Sequence, residues 1–189
     1  MNKIKYFKKE ISYIKDDIKR RDIEVLINLL PDYFFSIPAS STGKYHPKFA
    51  LTKNGLLKHT KVAVRIAIDM FETMNNINDN DKDLVIMALI MHDGLKKGLL
   101  EEEYTRFDHP LLVSELIMKN VGMLEMDIDD VRKMCMMIES HMGKYNVFDD
   151  KKIELPLPVN ELQRLVHRCD FLASRKYLNV RFNKLDIVD

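Results

Sequence analysis

Leu84-Val-Ile-Met-Ala-Leu-Ile-Met91 is followed without a break by His92-Asp93-Gly94. An apolar stretch without polar interruption reads as a helix buried on all sides, and Gly94 and Gly98 frame its end. Two metal-ligand types therefore stand side by side where a buried helix stops. Such a pair can bind one cation through the imidazole and bridge to a second through the carboxylate. His59, His109 and His141, with Asp170 later in the chain, each lie in their own apolar-periodic segment. The set offers nitrogen and oxygen donors and no cysteine, which suits a hydrolytic metal site better than a structural zinc clip.

The other segments have helical periodicity. Ile4, Phe7, Ile11, Ile14 and Ile18 form one stripe, read as one helix with lysines opposite. A packing helix with a solvated basic face is expected, with a membrane-surface helix as the alternative. Asp22 is a candidate cap for a second short helix through Leu30, which Pro31 ends. Residues 31–55 carry Pro31, Pro38 and Pro47 and little periodicity, yet Tyr33, Phe34, Phe35 and Phe49 predict an ordered loop. Helical spacing returns from Leu56 to Met74. Asp81 or Asp83 can cap the next helix, which runs to about His92. Pro110 suits the first turn of a helix to about Asn120. Further helices are expected over Ile128–His141 and Asn160–Tyr177, and only Tyr177–Phe182 shows any period-two alternation. The expected fold is all-α, a compact helical bundle without repeats. Residues 1–30 form a helical segment packed on a domain that spans 31–189.

Composition narrows the function classes. In 189 residues, 46% hydrophobic and 31% charged, there is material for one soluble domain with a substantial core. A net charge of +1 gives no global attraction to nucleic acid or anionic membrane, so phosphate recognition must be local. Cys135 and Cys169 fall in helical apolar patterns and read as reduced core thiols. The N-terminus is basic but lacks a signal peptide's apolar stretch. Leu84–Met91 is far shorter than the roughly 20 residues that cross a bilayer. A cytoplasmic location without a membrane partner is expected.

Any one of these histidines is more often a satisfied core or surface residue than a ligand. Their joint placement carries the argument: all but His167 lie at a segment edge or beside a loop, where a helix end can aim them inward. Asp170 interrupts the apolar pattern Leu165, Val166, Cys169, Leu172, Ala173. An unpaired carboxylate there would be costly to bury, so it calls for a cation or strong donors.

The order His59, His92-Asp93, His109, His141, Asp170 resembles the H…HD…H…H…D pattern of the HD-domain metal-dependent phosphohydrolases with two metals. Gly55-Leu-Leu-Lys-His-Thr60 looks like that family's first-ligand helix, and His92-Asp-Gly-Leu-Lys96 is similar to its HD-x-G-K. Ser140-His-Met-Gly-Lys144 is similar to its SHHGK. The segment Phe35–Ser41 with His46 also resembles the stretch before the HD domain of YhaM-type 3′-to-5′ exoribonucleases. The resemblance covers about residues 31–178. Two departures stand out: Gly94 is displaced by one, with Leu95 at the family's glycine position, and Met142 replaces the second histidine of SHHGK.

The resemblance implies an HD-type bundle and two divalent cations, with Mn, Fe, Co, Ni or Mg all compatible with the donor set. His59, His92, Asp93 and Asp170 would hold the first, and Asp93, His109 and His141 the second. It implies hydrolysis of a phosphoester, in a nucleotide or at a single-stranded nucleic-acid 3′ end, by a metal-activated water. Asp170, or the activated water alone, would serve as base. Lys96 would meet the phosphate, with Lys144 and His46 as further substrate contacts. His167 shares a helix face with Asp170 and can orient it. Arg168 and Arg175 can reach the cleft, though a solvated face is their ordinary role. Two other classes remain open: a non-catalytic nucleotide-binding or regulatory HD module, and a helical interaction protein with incidental histidines. The oligomeric state stays open.

Overall fold

The structure, a computed structural model, describes residues 2–40, 43–148 and 153–188; Ser41, the last residue of the loop compared above, lies outside these. The chain is mostly helical. Its helices are α1 (Lys8–Ser12), α2 (Asp17–Leu29), α3 (Gly55–Phe71), α4 (Asp79–Met91), α5 (His109–Lys119), α6 (Ile128–Glu139) and α7 (Glu161–Ala173). Two minimal antiparallel hairpins join them among the described residues: β1 (Val147–Phe148) with β2 (Ile153–Glu154), and β3 (Phe182–Asn183) with β4 (Asp186–Ile187). Among the described residues, no helix is long and apolar enough to cross a membrane.

Helix α4 is the axis of the fold. Every residue from Leu84 to Met91 is at most 1% exposed, because α2, α3, α6 and α7 all pack against it. Helix α3 also packs on α7, and α5 on α6. The helix ends that carry histidines thus converge around the C-terminus of α4.

The N-terminal segment differs from the single stripe expected. A short 3₁₀ turn (Ile4–Tyr6) and α1 are followed by a break, and α2 starts anew. The cause is two carboxylates. Asp83 on α4 accepts the N–H groups of Lys15 and Asp16, both at 2.9 Å, and the Asp16 side chain caps α2 through the N–H of Lys19. Phe7, Ile11 and Ile14 keep the inward face, but Ile18 is 38% exposed. Asp22 is therefore no cap. It sits buried inside α2 and accepts the N–H groups of Glu125 and Met126 at 2.8–3.1 Å. Likewise Asn78, not Asp81 or Asp83, caps α4. Asp22 and Asp83, which resemble local caps, are committed to distant backbone instead, and Asp81 pairs with the side chain of Lys133, which residue type alone does not reveal.

Other boundaries agree to within two or three residues, as helix ends generally do, except that α7 stops at Ala173 and the chain turns into the β3–β4 hairpin. Helix α7 begins with a capping box formed by Asn160 and Gln163. Gln163 also donates to the Met136 carbonyl at 3.2 Å, which ties α7 to α6. In the 31–55 loop, Tyr33, Phe34 and Phe35 are buried as expected. The Tyr33 hydroxyl accepts the N–H of Lys97 at 3.1 Å and donates to the carbonyl of Gly98 at 2.5 Å. That loop therefore braces the turn after His92-Asp93. Both cysteines are free and buried, and burial pushes their thiols up to about 11 and 12.

Candidate metal centre

Three of the four histidines are held by the same kind of bond, from Nδ1 to the backbone carbonyl three residues earlier. A helix end leaves carbonyls without intrahelical donors. Past the end of α4, His92 Nδ1 donates to Leu89 O at 2.6 Å, and past the end of α6, His141 Nδ1 donates to Ile138 O at 2.7 Å. At the start of α5, His109 Nδ1 donates to Arg106 O at 2.6 Å. Each ring is thereby held in the tautomer that turns an unprotonated Nε2 towards one buried point. Such orienting bonds are usual behind metal-ligating imidazoles. His59 comes from within α3 and Asp170 from within α7.

The six residues meet around Asp93, which is 2% exposed. Its two oxygens face different partners. Oδ2 lies 3.6 Å from His92 Nε2 and 3.9 Å from His59 Nε2. Oδ1 lies 2.9 Å from His109 Nε2 and 3.8 Å from His141 Nε2. Asp170 Oδ1 closes the first side, 2.9 Å from His59 Nε2 and 3.5 Å from His92 Nε2. Among the described residues, two groups have donor atoms within 4.8 Å of one another: His59, His92 and Asp170, and His92, Asp93 and His141. His92 belongs to both.

This donor set fits divalent cations on polar-group bookkeeping. His92 Nε2, the nitrogen turned towards Asp93 and Asp170, is buried and makes no hydrogen bond. His109 Nε2 and His141 Nε2 lie 3.3 Å apart, and with both Nδ1 atoms donating, two lone pairs face each other there. A second proton or a cation is needed at that point. A buried arrangement left without either would be costly.

The electrostatics keep Asp93, Asp170 and His141 in the forms a cation needs, and work the other way at His92. Burial pushes the Asp93 carboxyl up, but Lys96, His92 and His109 outweigh it and hold it well below the usual range. Burial is likewise outweighed at Asp170, by His59 and His92. For His141, burial and the neighbouring His92 push the imidazole down to about 3, so it is neutral at physiological pH. His92 is raised, because Asp93 and Asp170 overcome its burial; at 3.5 Å the Asp170 contact is Coulombic rather than a hydrogen bond.

A cavity of about 230 Å³ opens onto this centre and is lined by Asp93, His109, His141 and Asp170. Lys96 and His46 also line it. Lys96 Nζ lies 2.6 Å from Asp93 Oδ2, so its ammonium stands on the oxygen that faces His59 and His92. The His46 ring sits 5.5 Å from that of His59, and burial, then His59, push it down to about 3.

Other expectations are not met. Lys144 is exposed beside Tyr145 and does not line the cavity. His167 does not hold Asp170: its Nδ1 donates to the His141 carbonyl at 2.7 Å. Gly143 makes that possible, since its φ of +55° and the His167 ring packed against it leave no room for a Cβ. The displaced Gly94 is also required where it stands. A Cβ there would lie 2.5 Å from Leu30 Cδ2 and 2.9 Å from Met91 O, while Leu95 turns into the core. Arg168 points to solvent, whereas Arg175 reaches the cavity with Tyr45, Thr105, Tyr145, Phe171 and Ser174. Tyr45 comes from a loop and Tyr145 from a single 3₁₀ turn (Gly143–Tyr145), neither long enough to show periodicity, so no sequence signal marked them.

Comparison with protein-family models finds no match, and neither do comparisons with curated proteins and with solved structures. The motifs and this geometry are what a functional reading rests on.

Proposed function

We propose that the protein is a metal-dependent phosphohydrolase of the HD type, acting on a nucleotide or on the 3′ end of a single-stranded nucleic acid. The observation that carries the reading is the split of Asp93, with one oxygen towards His59 and His92 and the other towards His109 and His141. A lone structural site has no use for a carboxylate shared in this way. His59, His92, Asp93 and Asp170 would hold one divalent cation, and Asp93, His109 and His141 a second. When bound, such a pair lowers the pKa of water into the neutral range and offsets charge on phosphate oxygens.

The chain's own groups supply the rest. Tautomer-locking carbonyls preorganise the imidazoles, so little reorganisation accompanies the reaction. Asp170 is 20% exposed at its side chain, where Asp93 is 3%. It is thus the carboxylate placed to take a proton from water entering by the cavity. Lys96, 14% exposed and on the cavity wall, brings a positive charge to the phosphate's position.

The test is metal analysis followed by hydrolysis of a panel of nucleotides, cyclic nucleotides and short single-stranded RNA and DNA, with each divalent metal in turn. Close to two equivalents of metal and turnover of at least one phosphoester are expected. No metal after reconstitution at neutral pH would end the proposal. Metal and nucleotide binding without any hydrolysis would move the protein to the regulatory-module alternative.

A further inference from the structure

Most arginines of this chain rest on carboxylates: Arg20 on Asp17, Arg21 on Glu125, Arg106 on Asp108 and Arg132 on Asp129. Arg175 does not. Among the described residues no carboxylate lies within 4 Å of it, although it lines the cavity of the metal centre. It is nonetheless held firmly. Its guanidinium lies 3.8 Å over the Phe171 ring, Nε donates to Phe171 O at 2.9 Å, and Nη2 donates to the buried Ser174 hydroxyl at 2.8 Å. Ser174 Oγ is itself fixed on Phe171 O at 2.8 Å. Nη1 and the second hydrogen of Nη2 have no acceptor among the described residues. A rigid planar cation with free donors is what phosphate recognition uses.

We propose that Arg175 is a specificity-determining residue that selects phosphoesters bearing a second phosphate, as in nucleoside bisphosphates and oligonucleotides. The inference rests on the phosphohydrolase reading and narrows its substrate class. Arg175 stands two residues past the end of α7, on the wall of the same cavity that Asp93, His109 and Asp170 line, so a ligand with one phosphate at the centre can present a second to it. Tyr45 and Tyr145 stand on the same cavity wall with half-exposed rings, and aromatic faces of this kind stack bases without regard to sequence. Lys96 is paired with Asp93, whereas Arg175, among the described residues, is a cation of the wall without a carboxylate partner.

The competing role is that of a helix cap, since arginine often binds the last carbonyls of a helix. A cap needs only the Nε bond to Phe171 O and gives no preference between ligands. The two roles are separated by calorimetric titration of the manganese-loaded full chain with AMP and with adenosine 3′,5′-bisphosphate, with the ligand checked for integrity afterwards. The wild-type protein should bind the bisphosphate about tenfold more tightly or better, as expected of a charge-assisted contact. Arg175→Gln, which keeps donors but loses the charge, should bring the ratio within about twofold. Ser174→Ala removes the hydroxyl that holds Nη2 and is the second variant; the ratio should fall severalfold. A wild-type ratio near one, or a ratio unchanged in both variants, overturns the proposal. Hydrolysis of bis(p-nitrophenyl) phosphate by the wild-type protein, a substrate with no second phosphate, reads the metal centre separately. Its absence would count against the hydrolase reading while the binding ratio still decided the role of Arg175.

Discussion

Asp93→Asn isolates the bridging geometry, because it keeps the side chain's shape and removes its charge. Each cation would lose one charge-assisted contact, about 1.5–3 kcal/mol, so affinity should fall roughly 10- to 100-fold at both positions. Asp170→Asn touches only the side of His59 and His92, since Asp170 Oδ1 lies 2.9 and 3.5 Å from those rings. It should weaken one equivalent and spare the other. In metal-free protein, Asp93→Asn also leaves the Lys96 ammonium without its partner at 2.6 Å. Breaking a largely buried pair costs about 3 kcal/mol, the low end of the range, since Lys96 keeps some solvent contact. For a chain of this size that lowers Tm by roughly 6–12 °C. Titration calorimetry gives the stoichiometry, and thermal melts with and without chelator give the stability. Equal metal loss in the two variants, or two equivalents bound at wild-type affinity by Asp93→Asn, would refute the bridging role.

Two further outcomes follow from particular contacts. Gly143→Ala should destabilise by about 1–2 kcal/mol from the left-handed φ of +55°, and by about 1–3 kcal/mol more from collision with the His167 ring; adding His167→Ala should recover the second part in a urea melt. In chelator-treated protein, His46 and His141 are held down to about 3 by burial, so the unfolded chain, with imidazoles near 6.5, binds more protons over that window. Their contribution is present above about pH 6.5 and is lost as pH falls towards 3. His92, raised, opposes them, since its contribution is present below about 6.5 and lost as pH rises. A net uptake of one proton on unfolding gives a loss of about 1.4 kcal/mol per pH unit. Urea melts at pH 7.5 and 5.5 check it; stability that rises on acidification would show the sign to be wrong.

By itself the sequence determined the elements whose cause is local. Leu84–Met91 has no polar face to turn outwards, so burial on all sides followed from composition, and the break at His92-Asp93 marked where that helix stops. Periodicity likewise placed α3, α5, α6 and α7, and the order of histidines and aspartates named six residues that the fold brings to one point. Tertiary structure decided what depends on distant partners. Asp22 and Asp83 look like helix caps, yet they hold backbone of other segments, because an N–H from far along the chain satisfies a carboxylate as well as a near one. His167 took the His141 carbonyl rather than Asp170, since Gly143 leaves space for the ring. Lys96 and Lys144 look alike in sequence, but only Lys96 faces the cavity, through its contact with Asp93. The opposed orientation of the two Asp93 oxygens and the unpaired charge of Arg175 belong to this class too. Both arise from where helices converge, a property of packing that no local run of residues encodes.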